Sequence, residues 1–418
     1  VELVKRSSFA GNIPAPKRKI MERRTNTLVL VALAIISIIS RHGCDAFMGN
    51  KLSLADHTVT RSSRHCIRCS AAEEVEKQLE PVAGKSLLKA KATGIGSSAP
   101  TVVVSNDDLS TMMDTNDEWI RTRTGIGNRH ILKPGETLAE HQVNAAKKAL
   151  EMAGVDAADV DIVILATSSP DDMFGDAPLL ASSIGAGKAV AFDLTAACSG
   201  FLFGMVTASQ FLHSGAYKTA LVLGSDALSR WVDWEDRNSC ILFGDAAGAM
   251  VMQSSEESEG PSILGFSMHS DGGGKDSLTM VYNGESKTLP GPKGVEVTSA
   301  SYAPLYMEGK DVYKFATREV PIVIKEALEN AGMTADQVDW IVLHQANIRI
   351  MEIVAKRLGM PMDKVIANLD EYGNTSAASI PLCLDEAVRR GQVKKGDVIA
   401  CAGFGAGLSW GAAIFRWG

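Results

Sequence analysis

Cys198, His344 and Asn374 are the side chains of this 418-residue chain whose settings best suit chemistry. Cys198 follows the apolar run Ala189 to Leu194 and sits in Thr195-Ala-Ala-Cys-Ser-Gly-Phe-Leu-Phe-Gly204, whose continuation to His213 is mostly apolar around its circumference. That pattern predicts a strand turning sharply into a buried helix, with Cys198 at the helix start. Free N–H groups and partial positive charge at a helix start stabilise a thiolate, so a lowered thiol pKa and a nucleophilic role are expected. A buried structural cysteine fits the same local context. His344 ends the apolar run Trp340 to Leu343 within His344-Gln-Ala-Asn-Ile-Arg349, and Asn374 lies in Tyr372-Gly-Asn-Thr-Ser-Ala-Ala-Ser-Ile-Pro381. Each is either a partner of the nucleophile, or a satisfied core histidine and a turn residue.

The elements that must position these residues are duplicated. Ala149 to Leu165 reads against Ala327 to Leu343 without a gap, and nine of seventeen positions are identical. Each copy is a helix end stopped by glycine (Gly154, Gly332), a short acidic loop and a continuous apolar run suited to a strand buried on both faces. The offset of 178 carries Ala220 to Leu223 onto Val398 to Cys401 and Cys198 onto Ser376. Two such halves predict a layered α/β body with pseudo-twofold symmetry, divided as residues 85–260 and 261–418 after a leader and linker, 1–84. Matching loops of the two halves are expected to face one site.

Taken together, the Cys198 turn, the His344 run, the Asn374 loop and the C-terminal Gly403-Phe-Gly-Ala-Gly-Leu-Ser-Trp410 resemble the active-site motifs of type III ketoacyl-acyl carrier protein synthases. The resemblance runs from about Lys85 to Gly418. It implies a thiolase-like fold of five alternating helix and sheet layers. It also implies decarboxylating condensation of an acyl-CoA primer, acetyl-CoA by family default, with malonyl-acyl carrier protein through an acyl-Cys198 intermediate, beginning type II fatty acid synthesis. The oxyanion of acyl transfer would meet the backbone N–H groups of Cys198 and Ala406, next to Gly405, although the family often has glycine at the latter position. His344 and Asn374 would stabilise the enolate, without metal or organic cofactor.

Substrate handles follow from the same resemblance. Thr115, Trp119 and Arg123 match the segment that holds the CoA nucleotide, and Arg237 the residue packing on the other side of the adenine, an indole and a guanidinium sandwiching a purine. Phe243 matches a pocket wall, Ala346 lies in the His344 run, and Arg349, with Lys314, Lys356 and Arg357 as neighbours, matches the basic position that meets the acidic carrier protein. A twofold homodimer is implied, with Phe174, in the loop Thr167 to Phe174, inserted toward the partner's pocket. Read without the family, Trp119 is a helix or turn aromatic, the arginines are solvated charges or a cap, and Phe243 is core. Asp271-Gly-Gly-Gly274 lacks the Lys-Ser or Lys-Thr of a phosphate loop and reads as a plain loop.

Charge divides the chain. The first seventy residues hold twelve Lys or Arg and four acids, leaving 30 basic against 45 acidic residues in the remainder, which disfavours nucleic-acid binding by the body. Met21-Glu-Arg-Arg24 precedes the apolar run Leu28 to Ser40, too short for a comfortable membrane span and suited to a signal peptide. The Lys51, Arg61, Arg64 and Arg68 stretch that follows fits a transit peptide, so import into a plastid stroma through the ER is expected, with no membrane insertion of the mature enzyme. A plain signal or anchor on a secreted enzyme is the alternative. Cys66-x-x-Cys69 lacks a second pair, which argues against zinc. Thiolases use a second catalytic cysteine and elongating synthases two histidines, where this chain has Asn374. A non-catalytic scaffold would not need all three polar residues.

Overall fold

The computed structural model describes residues 89–255 and 263–418, which fall within one compact unit, Gly84–Gly418. The signal and transit segments, with Cys44, Cys66 and Cys69, lie outside the described residues.

Ten strands build two five-stranded sheets. The first holds β1 (Lys89–Ser98), β2 (Ile162–Ala166), β3 (Val190–Leu194), β4 (Thr219–Ala227) and β5 (Asp245–Ser255), ordered β1-β5-β4-β2-β3. The second holds β6 (Ile263–Ser270), β7 (Trp340–Leu343), β8 (Val365–Ile366), β9 (Val398–Gly405) and β10 (Ser409–Arg416), ordered β6-β10-β9-β7-β8. The pairings repeat as well: β2 runs parallel to β3 and β4, as β7 does to β8 and β9, while the remaining pairs are antiparallel.

Among the described residues, seven helices of eight residues or more complete the layers: α1 (Asp117–Thr124), α2 (Leu138–Ala153), α3 (Ala177–Ile184), α4 (Gly200–His213), α5 (Gly309–Ala331), α6 (Ile348–Leu358) and α7 (Ser379–Arg389). Helices α4 and α7 lie between the sheets, α2 covers the first sheet and α5 the second, with α3 and α6 packed beside them. The result is the expected α/β/α/β/α stack. Alternation along the buried strands makes it possible: Ile162, Ile164, Ala220 and Val222 enter the central core with Phe201 and Met205 of α4, while Val163, Leu165, Leu221 and Leu223 face α2.

The duplication holds, with one correction to its register. Gly154 and Gly332 cap α2 and α5 in the left-handed conformation, 178 apart. The offset stays 178 through β2 and β7 and becomes 179 at β4 and β9, because Ile162 of β2 pairs with Ala220, whereas its counterpart Trp340 of β7 pairs with Ile399. The short turns Ala197–Ser199 and Ser376–Ala378 also correspond at 179, each opening on a residue of positive φ, Ala197 at 48° and Ser376 at 51°. The counterpart of Cys198 is therefore Ala377, not Ser376. The connections between repeat and turn differ in length, which a single offset cannot follow. The two turns still face each other: the Ser376 hydroxyl lies 3.3 Å from Cys198 Sγ.

Candidate active site

Cys198 lies in the turn from β3 to α4, 7% exposed, on the wall of a cavity of about 570 Å³ that His344, Asn374, Trp119, Arg123, Phe243, Ala346, Gly405 and Ala406 also line. The end of β9 presses on this turn. A Cβ on Gly405 would lie 2.7 Å from the Cys198 nitrogen, so glycine is required for the backbone leading to Ala406 to pass the nucleophile.

The thiol does not have the lowered pKa expected from its position. Burial pushes it up to about 12, the Asp226 charge adds to the rise, and the Ser376 hydroxyl opposes it. The helix start is weaker than the sequence suggests, because the Ser199 and Gly200 N–H groups already donate to the Ala196 and Ala197 carbonyls. Cys198 therefore rests as a protonated thiol.

His344 follows β7 and donates its backbone N–H to Ala402, 2.9 Å away. Its ring is buried edge-on to Phe404, and burial pushes its pKa down to about 3, so the imidazole is neutral. Ser379 Oγ lies 3.2 Å from Nδ1. With the serine donating there, the ring proton is assigned to Nε2, for which no protein acceptor is found among the described residues. Asn374 is bolted to the opposite wall, its N–H donating to Leu242 O at 2.8 Å and its carbonyl accepting from Gly244 N at 3.0 Å, with Phe243 between. Its Oδ1 accepts from the Ser376 N–H at 2.9 Å, which fixes the amide and leaves the Nδ2 protons as free donors. One cavity thus carries a thiol and two neutral donors.

The nucleotide handles are closer together than a sandwich allows. Trp119 in α1 has the Arg123 guanidinium carbon 4.4 Å and that of Arg237 4.9 Å from its ring centroid. A purine between flat groups needs about 7 Å, twice the ordinary contact distance. Arg237 is held by the Asp114 carbonyl and an ion pair with the Asp114 carboxylate, which leaves no gap for a base against Trp119. Thr115 Oγ1 is buried without a hydrogen-bond partner. Arg349 in α6 donates to Thr122 O at 2.7 Å, tying α6 to α1. Lys314 pairs with Asp311, and Lys356 and Arg357 lie in the last turn of α6, about 11 Å along the axis from Arg349. Phe174 is fully exposed and outside the lining of this chain's cavity.

Sequence reasoning missed Asp226, at the end of β4, and the roof of the cavity, which includes Leu278, Met280, Leu305 and Met307. An acid ending a buried apolar strand was a usable signal for the first. The roof residues fall on short strands and loops without periodicity.

Comparison with known proteins agrees with this geometry. Residues 192–272 match the family model of 3-oxoacyl-[acyl-carrier-protein] synthase III, and residues 328–417 match the model of its C-terminal part. The chain is 56% identical over 326 residues to beta-ketoacyl-[acyl-carrier-protein] synthase III of Microcystis aeruginosa, covering 78% of this chain and 97% of that protein. To the protein of the same name from Acaryochloris marina it is 54% identical, covering 78% and 96%. The crystal structure of 3-oxoacyl-[acyl-carrier-protein] synthase III from Aquifex aeolicus superposes with a TM-score of 0.71 at 40% identity, over 78% of this chain and all of that one. The corresponding structure from Thermus thermophilus gives 0.71 at 38% identity, over 78% and 99%.

Proposed function

The chain belongs to the 3-oxoacyl-[acyl-carrier-protein] synthase III family, and on that premise we propose that Cys198, His344 and Asn374 carry out its reaction. It is a condensing acyltransferase that joins an acyl-CoA primer to malonyl-acyl carrier protein and so initiates fatty acid synthesis. The Cys198 sulfur attacks the primer thioester; the Cys198–acyl bond forms, the acyl–CoA bond breaks, and the thiol proton leaves on the CoA sulfur. Backbone N–H groups of Cys198 and Ala406 receive the tetrahedral oxyanion. Malonyl-acyl carrier protein then loses CO₂, and His344 and Asn374 donate to the enolate oxygen. The enolate carbon attacks the acyl-Cys198 carbon, releasing the 3-oxoacyl carrier protein and a sulfur that regains a proton from solvent. The observation that carries this reading is that Cys198 and two neutral donors, His344 and Asn374, line one cavity.

The cavity wall formed by Leu228, Ile241, Leu242 and Phe243 takes the primer's acyl group, acetyl by preference, while Trp119, Arg123 and a displaced Arg237 take the nucleotide, and Arg349 faces the carrier protein. The test is exposure to acetyl-, isobutyryl- and hexanoyl-CoA, followed by peptide mass spectrometry and addition of malonyl-acyl carrier protein. Acetylation of Cys198 and formation of 3-oxobutyryl carrier protein are expected; acylation at another residue overturns the reading.

The reading extends to assembly and address. The halves 85–260 and 261–418 form one catalytic body, and the body pairs as a twofold homodimer. Support comes from the outer edge of β3, which no strand among the described residues pairs, and from Phe174, Met173 and Leu179, which are 100%, 77% and 62% exposed nearby in sequence. Phe174→Asp is expected to convert the dimer to monomer by sedimentation and to lower primer turnover at least tenfold. A dimer of full activity would remove Phe174 from the interface. A plastid address is supported by the two-part character of the leader sequence and by the cyanobacterial relatives. Among the described residues no helix is long and apolar enough to cross a membrane.

A further inference from the structure

The glycine run that follows β6 sits against the loop that carries the Ala406 N–H. Strands β9 and β10 pair as far as Gly405 and Ser409, which leaves Ala406, Gly407 and Leu408 as the apex of a hairpin. The flanks of that apex meet the nucleophile turn: a Cβ on Gly405 would lie 2.7 Å from Cys198 N, and Ser199 Oγ donates to Ser409 O at 2.7 Å. The apex itself is tied elsewhere. Leu408 N donates to Asp271 O and Asp271 N donates to Leu408 O, both at 2.8 Å. The Leu408 side chain, 6% exposed and on the cavity wall, lies directly on Gly274.

Gly274 answers to space rather than to backbone freedom. Its φ is not positive, yet a Cβ there would stand 2.5 Å from Leu408 Cδ1 and 2.8 Å from Leu408 Cγ, well inside ordinary carbon contact. A Cβ on Gly272, two residues earlier, would meet nothing within 4 Å. Asp271 shapes the turn between them. Its side chain is exposed, but Oδ1 accepts from Gly273 N at 2.8 Å, and its carbonyl accepts from Gly274 N at 3.3 Å as well as from Leu408 N. A surface carboxylate thus sets the course of the backbone on which Leu408 rests.

We propose that Asp271 and Gly274 are positioning residues for acyl transfer, which act through Leu408 to fix the apex from which the Ala406 N–H meets the oxyanion. Neither lines the cavity, so neither touches substrate. The need for them follows from the chemistry. An oxyanion donor helps only if its direction is set before charge develops. Ladder bonds end at Gly405 and Ser409, and Gly407, at a φ of 130°, lends the apex no stiffness of its own. Two backbone bonds to Asp271 and the seat on Gly274 supply the missing restraint. His344 and Asn374 are held by Ser379 and Ser376 instead, so decarboxylation does not depend on this brace.

The inference rests on acyl transfer to Cys198, and its test reads that step in variants of the full chain. Acetylation of Cys198 by acetyl-CoA is followed in single turnovers by quenched peptide mass spectrometry over a range of concentrations, with labelled CO₂ release from malonyl-acyl carrier protein measured alongside. Gly274→Ala is expected to lower the maximal acetylation rate at least about tenfold, within the roughly 10²-fold that a small misplacement costs. The half-saturating concentration and CO₂ release are each expected to change less than about twofold, since neither binding nor the enolate donors are touched. Adding Leu408→Ala removes the clash, so the double variant is expected to match Leu408→Ala alone rather than sum the two losses. Asp271→Ala, an exposed substitution that folding tolerates, is expected to slow acetylation as well, whereas Asp271→Asn keeps an acceptor for Gly273 N and Gly272→Ala fills open space, so both are expected to stay near the unsubstituted rate. Unchanged acetylation in either Gly274→Ala or Asp271→Ala, CO₂ release that falls in step with acetylation, or additive losses in the double variant would overturn the brace. Acetylation at a residue other than Cys198 would instead overturn the reading on which it rests.

Discussion

Cys198→Ala is expected to abolish acyl-enzyme formation and to lower condensation by on the order of 10⁴-fold or more, because the covalent route disappears with the sulfur. No other described cysteine can replace it. Cys240 is buried against Met113 Sδ, with its thiol pushed up to about 11, and Cys383 and Cys401 are packed in the core between the sheets. None of these three lines the cavity. The substitution removes a buried atom from a tight turn without touching the Asn374 or His344 hydrogen bonds, so the fold is expected to persist. Intact mass after incubation with acetyl-CoA, paired with a condensation assay, is the measurement. A stable acyl adduct with continued turnover would show that the nucleophile lies elsewhere.

The parts of this site legible in the sequence are those governed by local pattern. Apolar runs ending at Leu194 and Leu343 announce strands, and the residues just beyond them are where a strand opens onto a site; Cys198 and His344 follow. The repeat announces two halves, since Gly154 and Gly332 must each end a helix before the same kind of strand. What the pattern does not carry is anything set by packing between the halves. The thiol pKa was expected to fall, and it rises, because the loss of water around Cys198 outweighs a helix start whose first N–H groups are already paired. The stacking of Arg237 on Trp119 and the hydrogen bond from Ala377 N to Asp226 both depend on contacts across more than a hundred residues of chain. A local spacing cannot encode them.

His344→Ala and Asn374→Ala are each expected to slow decarboxylation of malonyl-acyl carrier protein about 10²- to 10³-fold, the usual cost of one lost oxyanion donor, while slowing acylation of Cys198 less than about tenfold. The asymmetry follows from geometry. In the proposed mechanism Cys198 is acylated against backbone N–H groups, whereas the Nε2 proton of His344 and the Nδ2 protons of Asn374 are the side-chain donors left free by Ser379 and Ser376. The double variant is expected to fall little below the slower single variant, because one oxygen needs both donors at once and half a site holds it poorly. The pH dependence separates a neutral donor from a charged one. Burial holds His344 down to about 3, so it is neutral at every pH above that, and CO₂ release is expected to show no break where an ordinary histidine titrates, near 6.5. Release of labelled CO₂ and self-acylation, measured separately from pH 5 to 9 in each variant, decide the matter. Intact CO₂ release with lost acylation would reverse the assigned roles, and a break near 6.5 that disappears in His344→Ala would mean that the imidazolium, not the neutral ring, meets the enolate.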